Sequence, residues 1–472
     1  SMAGRLPGVN VVPDAAPGGT GTIRVRGMST ANSSNDPLYI IDGVPTDNIN
    51  CINPSDIESM QVLKDAASAS IYGSRAANGV VVITTKQGKG DRMTVNVNYS
   101  TNIQTIANRY EMLDANQWGI AYWAASKNSN IAPSHVLYGN GETPVLQPYV
   151  AGNTNYPTTN TDWQDQVYRT AWTNNLTASI SNNTDKSSVM LSLNYINQDG
   201  NIRETFYERY SARINSRYDF NKYISVGENL MLAHWKNRGV DVAGDRGVPF
   251  TAMSQHPALP VRGLDGSWAR PLELIASDLT NPVQLIENAK DNDYSSWRIL
   301  GNAYLELKPI EGLSLKTNIG IEHSQYFNHT LGRTVNPGDV NSVSSVYGQG
   351  DTWTWTNTAN YNKTFADKHH LTVLLGTEAI SYTFRDLSAS REGYAFEDPD
   401  YMQIGAGTGT RSNGGGKTQW SVFSLFGKVD YNYADRYLAS FTIRRDENSR
   451  FAKGYRAGIF PAFSLAWRPT QE

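Results

Sequence analysis

From about residue 92 onward, apolar and polar residues alternate with period two over long stretches, the pattern of strands with one apolar and one polar face. Val95, Val97 and Tyr99 share a face, as do Leu176, Ala178 and Ile180, and then Val189, Leu191, Leu193 and Tyr195. The series runs on through Tyr210, Ala212, Ile214 and Tyr218, through Leu313, Leu315, Ile319 and Ile321, and through Leu371, Val373 and Leu375. It closes with Tyr437, Ala439, Phe441 and Ile443 and with Phe463, Leu465 and Trp467. About twelve strands are expected. Their connections alternate between short (182–186, 220–222, 308–312, 365–369, 433–436) and long (107–171, 237–293, 328–349, 388–417), with shorter members of the long class at 199–205 and 448–458.

Sorting of connection length by parity is what an outer-membrane barrel does, with short turns on the periplasmic side and long loops outside. A soluble sandwich has no reason for it. Aromatic residues gather beside the short turns: Tyr218, Phe220 and Tyr223; Tyr361 and Phe365; Tyr431, Tyr433 and Tyr437. Amphipathic rings at the border of an apolar band are expected at a membrane interface, although edge packing places some of them equally well.

Residues 1 to about 90 read differently, as a compact α/β unit with short β runs at 22–25, 38–41, 60–63 and 80–84. A small-residue helix is expected from Asp65 to a C-capping Gly73, and Ser55 to Glu58 fits a capping box at a brief helical start. Taken alone, this stretch equally fits an ordinary small soluble domain.

Composition narrows the class. In 472 residues there are 40 Gly, 26 Tyr and 11 Trp with only 18% charged residues, a β-rich and turn-rich balance rather than that of a helical bundle. A net charge of -3 leaves no excess of cations to neutralise phosphates, so no nucleic-acid partner is expected. Mean hydropathy is -0.47 and no apolar run reaches transmembrane-helix length, yet a barrel strand shows lipid only every second residue and stays polar on average. Cys51 alone forms no internal disulfide. Ser1 opens the chain without a charged and then apolar leader, so any export signal is expected to be removed or to lie outside these residues. No Gly-x-Ser-x-Gly elbow or zinc-binding His pair is present, so an enzyme is not expected. Gly416-Lys417-Thr418 imitates a phosphate loop, but Arg411 stands where that motif needs Gly.

The run from Met60 through Lys64, Tyr72-Gly73, Arg75 and Asn78-Gly79 to Thr84 and Lys86 resembles, over its whole length, the end of the plug in TonB-dependent transporters. Gly4-Arg-Leu-Pro-Gly8, Ile23-Arg24-Val-Arg26-Gly27 and Pro37-Leu-Tyr-Ile-Ile-Asp42-Gly43-Val-Pro45 look like the SusC-type branch, named for starch utilisation. Arg445-Asp-Glu-Asn-Ser-Arg450-Phe and Phe460-Pro-Ala-Phe-Ser-Leu-Ala-Trp467-Arg resemble its barrel wall, so the resemblance brackets the chain. It implies a transmembrane antiparallel β-barrel of 22 strands in the complete protein, with an α/β plug (1–90) in the lumen of a wall begun by 91–472. It also implies active import of a nutrient, an oligosaccharide or glycan ahead of a peptide, across the bacterial outer membrane. The partners implied are a SusD-type surface lipoprotein as lid, the TonB–ExbB–ExbD complex as energy source, outer-membrane lipid and the remaining barrel half. The branch's TonB box and N-terminal extension are not among these residues. A receptor or adhesin that binds without transport is the rival reading.

Size makes the same point about the wall. A plug of this length has a diameter of roughly 30 Å, whereas twelve strands tilted near 40° would close to only ~24 Å and twenty-two to ~44 Å. About ten further strands are therefore expected beyond those read here.

Several residues are candidates for function. If apolar residues face lipid, Glu306, Glu322 and Glu378 fall on the lumen side, where Arg24, Arg26 and Arg75 of the plug are candidate partners, the alternative being that these acids face a wet channel. The family resemblance implies such plug-to-wall pairs. The polar loop Ser29-Thr30-Ala31-Asn32-Ser33-Ser34-Asn35-Asp36 has the amide and hydroxyl groups to bind a sugar or peptide, and also the letters of any loop. Trp118, Trp123, Trp163 and Tyr156 in the first long loop are candidates for stacking on sugar rings or for lid contacts. Asp241 with Asp245, and Glu397-Asp398 with Asp400, are better read as solvated acidic turns than as calcium ligands, and His369-His370 as an exposed turn; no metal or other cofactor is expected.

Overall fold

The computed structural model describes residues 9–471 apart from 26, 28–29, 31–33, 65–68, 91, 271–278 and 336–337. Its amino-terminal unit carries β1 (Val9–Val12), paired antiparallel with β2 (Thr22–Val25). A four-stranded sheet follows, built from β3 (Leu38–Ile41), β4 (Val44–Thr46), β5 (Ile57–Leu63) and β6 (Val80–Thr85) in the order β4-β3-β6-β5. β3 runs parallel to β6 and turns into β4 through Asp42 and Gly43, whose φ angles of 48° and 88° suit a two-residue hairpin loop.

Three expectations for this unit change. β1 and β4 are additional strands, and β5 begins at Ile57, ahead of the expected Met60. The capping box at Ser55 and Glu58 does not form. Asn53 is the N-cap of a three-residue 3₁₀ turn, Pro54–Asp56; its side chain accepts from the Ser55 N–H at 3.1 Å, while Glu58 already lies in β5 and pairs with Lys89. The later helix is also 3₁₀, Ser70–Ala76, and Gly73 at φ 64° kinks it instead of ending it; Asp65 to Ser68 lie outside the described residues.

Beyond this unit, twelve antiparallel strands form one sheet in strict sequence order. They are β7 (Thr94–Gln104), β8 (Ala171–Asn183), β9 (Ser187–Asp199), β10 (Phe206–Asn221), β11 (Ile224–Arg238) and β12 (Asp293–Ile310). β13 (Leu313–Gly332), β14 (Ser342–Phe365), β15 (His369–Glu392), β16 (Arg411–Tyr433), β17 (Tyr437–Asn448) and β18 (Ala457–Trp467) complete it. Two long loops are shorter than expected, at 333–341 and 393–410, because β14 and β15 each run for 24 residues. A tilted strand needs only about 9–11 residues to cross hydrocarbon, so the ladders continue well past the membrane.

The sheet is inside out relative to a soluble protein. On β9, Leu191 and Leu193 are 37% and 50% exposed, while Ser192 and Asn194 between them are 2% and 5%. The buried polar face curves around the amino-terminal unit, and Met231, Ala233 and Leu300 of the wall join one core with Val9, Ile23, Val25, Tyr39, Val44 and Ile83. The apolar face is left for lipid. Tyr218, Phe220, Tyr223, Phe365, Tyr431, Tyr433 and Tyr437 stand exposed at its short-turn edge. Replacing Leu191 by Arg, inside that band, is expected to cost about 2–4 kcal/mol in a bilayer; denaturant titration of the full-length protein in lipid reads it, and a neutral result would place this face away from hydrocarbon.

Candidate functional site

Inside the barrel wall, arginines hold the plug. Among the described residues, Arg209, Arg213, Arg298 and Arg444 project from β10, β12 and β17 into the lumen, and all are at least nine-tenths buried. Arg209 donates to the Asn50 and Ile52 carbonyls at 2.5 and 3.4 Å. Arg213 donates to the Lys86 carbonyl at 3.1 Å and lies 3.4 Å from Asp56, which also accepts from Ser192 of β9. Arg298 pairs with Glu322 on the neighbouring strand and donates to Thr46 Oγ1 of β4 at 2.9 Å; Thr46 in turn donates to Glu322 at 3.2 Å. Arg444 donates to the Ile71 carbonyl, to Glu378 at 2.7 Å and to Asp446 at 2.6 Å.

Besides the Arg213–Asp56 pair, plug and wall charges meet where Arg75 donates to Glu378 at 2.7 Å through the same carboxylate oxygen that Arg444 uses. Two guanidinium groups and two carboxylates, Glu378 and Asp446, thus share one buried cluster, a balance that burial requires. Gly73 makes the approach possible. A Cβ there would come within 2.1 Å of Asp446 Oδ2, and the φ of 64° is one that Gly adopts freely.

The remaining lumen candidates fall elsewhere. Arg24 pairs with Asp36 inside the plug rather than with the wall, and Arg26 lies outside the described residues. Glu306 faces the lumen but bonds within the wall, accepting from Ser314 at 2.8 Å and lying 3.6 Å from Arg217. The sequence offered plug arginines to wall acids. The structure mostly does the reverse: Arg209, Arg213 and Arg444 of the wall reach plug carbonyls, which no side-chain pattern reveals, and Arg298 reaches the Thr46 hydroxyl.

In the polar loop, Ser29, Asn32 and Ser33 lie outside the described residues. Asn35 is turned inward: its side chain bonds the N–H and carbonyl of Thr30 and closes the loop on itself. Ser34 donates to Asp36, and Asn78 donates to the Ser34 carbonyl. Ser34 and Asp36 then border a chamber of about 600 Å³ between plug and wall, on the long-loop side. Arg75, Arg298, Glu322, Tyr382, Trp420 and Arg450 line it as well. The Tyr382 and Trp420 rings stack at 5.2 Å across β15 and β16, with Arg450 4.7 Å over the indole. Neither ring was singled out from sequence; both stand on the same lumen parity as Glu378, the one signal that points to them.

The first-loop aromatics form no exposed platform. Loop 105–170 and the described parts of the next long loop, 239–270 and 279–292, fold together as a cap around a core containing Trp123, Leu137, Tyr138, Trp163, Val248, Leu259 and Ile286. Trp163 is 4% exposed and donates its N–H to the His256 carbonyl at 3.1 Å. Trp118 packs on Tyr122, Tyr138 and His256, and Tyr156 bonds Ser267 of the other loop. These rings have been drawn inward because the loops are long enough to bury a core of their own. Asp241 accepts from the Ala243 N–H, Glu397 from Thr334 and Asn341, and the Asp245 side chain is outside the described set. His369, expected in an exposed turn, starts β15 half-buried and bonds Tyr431.

His256 sits 6% exposed, with Nδ1 accepting from the Ala258 N–H at 3.1 Å. Burial, reinforced by neighbouring His135, holds its pKa down at about 4. Unfolded, it would take a proton near the usual 6.5, so the body formed by these two loops is expected to lose stability as the pH falls from about 6.5 to 4 and to change no further below that. Tryptophan emission followed over pH checks this, and His256→Phe should flatten the curve. In the charge cluster, Glu378→Gln or Arg444→Met should each cost about 3–5 kcal/mol by leaving buried charge unpaired. Amide exchange at residues 69–77 should then quicken while the wall ladders stay protected; unchanged protection there would deny the cluster a role in holding the plug.

Residues 1–80 match the family model of the TonB-dependent receptor plug domain. Over its whole length the chain is 31% identical to TonB-dependent receptor P39 of Formosa agariphila and 29% identical to TonB-dependent receptor SusC of Bacteroides thetaiotaomicron. It spans 44% and 47% of those proteins, a little under half of each. In the structure of the RagAB peptide importer in the open-open state, one chain superposes on 99% of this one at a TM-score of 0.82 and 26% identity, with 54% of that chain covered. The plug-domain match, the full-length likeness to these receptors and a plug clasped by the polar face of a lipid-facing sheet lead to one conclusion: the chain is the plug and part of the barrel wall of a SusC-type TonB-dependent receptor of the bacterial outer membrane.

Proposed function

We propose that the chain serves energised import of an oligosaccharide across the outer membrane, with a SusD-type lipoprotein as lid, the TonB–ExbB–ExbD complex as energy source and a further stretch of wall closing the barrel. The observation that carries this reading is the chamber above the plug. Its volume of about 600 Å³ suits a small ligand. It offers an aromatic patch, Tyr382 and Trp420, beside carboxylates and hydroxyls of Asp36, Asp47, Ser324 and Thr352, the mixture that packs against the apolar face of a sugar ring and bonds its hydroxyls. Below it the plug is held shut by buried ion pairs, so passage requires work on the plug. Energy coupling supplies that work. The role is binding and conveyance, with no catalytic group and no cofactor assigned.

A second reading keeps the same machine and changes the cargo to a peptide. It is favoured by the likeness to the RagAB peptide importer and by the presence of both charge signs, Asp36, Asp47 and Arg450, on the chamber wall. Uptake of labelled oligosaccharide and oligopeptide mixtures by cells carrying the full-length protein decides between them.

Uptake should stop when the proton gradient is collapsed or the TonB box is removed; uptake that persists, or binding with no uptake in energised cells, makes the protein a receptor or adhesin. Trp420→Ala should weaken retention of the transported class about three- to tenfold, the value of one aromatic contact. Equilibrium binding to purified protein measures this, and no change would move the ligand away from Trp420.

A further inference from the structure

A second chamber lies beneath the first, on the short-turn side of the plug. It has a volume of about 350 Å³, inside the ~300–1,000 Å³ range of small-ligand sites. Asp42 and Gly43, with Val82 to Thr84 of β6 and Gln87, form its plug side; Asn302, Tyr304, Glu306 and Lys316 are among its wall residues. Both chambers lie along β12 and β13. The upper one reaches Arg298, Glu322 and Ser324 of those strands, and the lower one reaches Asn302, Tyr304, Glu306 and Lys316.

The β3–β4 hairpin borders both. Pro45, Thr46 and Asp47 border the upper chamber, Asp42 and Gly43 the lower, and Val44 lies between, 3% exposed. Opposite Val44 the wall carries Gly320, where a Cβ would stand 3.1 Å from Val44 Cγ2. The wall at this level is polar: Asn215, Asn229 and Asn302 are direct partners across β10, β11 and β12, and Asn302 also donates to Asn318. Such a row offers hydroxyl-rich molecules donors and acceptors at every step.

β4 is the element best suited to move. It is an edge strand of three residues, paired with β3 alone, and Thr46 ties it to the wall through Arg298 and Glu322. β3 behind it is fixed, paired to β6 and held at Asp42 by the Thr85 N–H and hydroxyl.

We infer that the lower chamber is a second, transit site for a polyhydroxylated ligand, and that β4 with Val44 is the seal between it and the upper chamber, so that passage follows the β12–β13 wall. This rests on the import reading above. The Thr46 tie keeps the seal shut at rest, and displacement of β4 joins the two spaces without dismantling the rest of the plug sheet.

The test uses the full-length protein in energised cells, with Cys51→Ala as background and a membrane-impermeant biotin maleimide as probe. Thr352→Cys reports the upper chamber and Asn302→Cys the lower. Both should be labelled from outside, the lower at least tenfold more slowly when the proton gradient is collapsed. Val44→Cys with Gly320→Cys then locks the seal by a disulfide, the geometry being close to that required. To leave a single reporter thiol free, each is combined with the locked pair in turn. Locking should abolish labelling at position 302, leave it intact at position 352, and be reversed by reductant. Labelling at position 302 that survives the lock, or that never occurs in the unlocked protein, overturns the inference. Oligosaccharide uptake by the unlocked background reports on the import reading separately: uptake with no labelling at position 302 sinks this path alone. Loss of both uptake and gradient dependence sinks the import reading itself.

Discussion

A guanidinium taken out of water must be given acceptors for its N–H groups, and this requirement joins the plug to the wall. The lumen face supplies buried arginines at Arg209, Arg213, Arg298 and Arg444; the plug supplies the acceptors, largely as main-chain oxygen at Asn50, Ile52, Ile71 and Lys86. A carbonyl is available wherever a loop presents one, so the wall can grip irregular stretches of plug that offer no matching side chain. The acids come second, as Glu322, Glu378, Asp446 and Asp56 neutralise charge that would otherwise be stranded.

The consequence is a plug that is firmly held but unevenly so. The 3₁₀ segment Ser70–Ala76 is locked by four charges around Gly73, whereas β4 depends on three ladder positions and one threonine hydroxyl. A pull on such a body is answered first by its least-bonded edge. Two chambers flanking that edge, one above and one below, give the unevenness a direction.

Outside the membrane a different rule operates. Loops of this length can bury their own apolar surface, and the two largest do so, with helices Ala115–Asn128, Trp163–Val167, Val248–Ser254 and Pro282–Ala289 around a shared aromatic core. Arg333 fastens neighbouring loops to this cap, pairing with Asp291 and donating to the Glu287, Asn288 and Glu397 carbonyls. The cap is therefore a packed body, and Trp123 and Trp163 are spent on its core, while Tyr382 and Trp420 border the chamber lower down.

The sequence by itself determined the wall: period-two alternation tells which face of each strand is apolar, and connection length tells which end is which. It also placed Glu322 and Glu378 on the lumen side, since parity along a strand is a local property. What only the tertiary structure decided was pairing across hundreds of residues. Arg24 found Asp36 instead of the wall, Trp118 and Trp163 went into a core, Asn35 closed its own loop, and Arg444 reached Glu378 and Ile71. Partner choice depends on which residues the curvature of the sheet brings together and on carbonyls that every residue carries alike, and neither is written in the order of side chains.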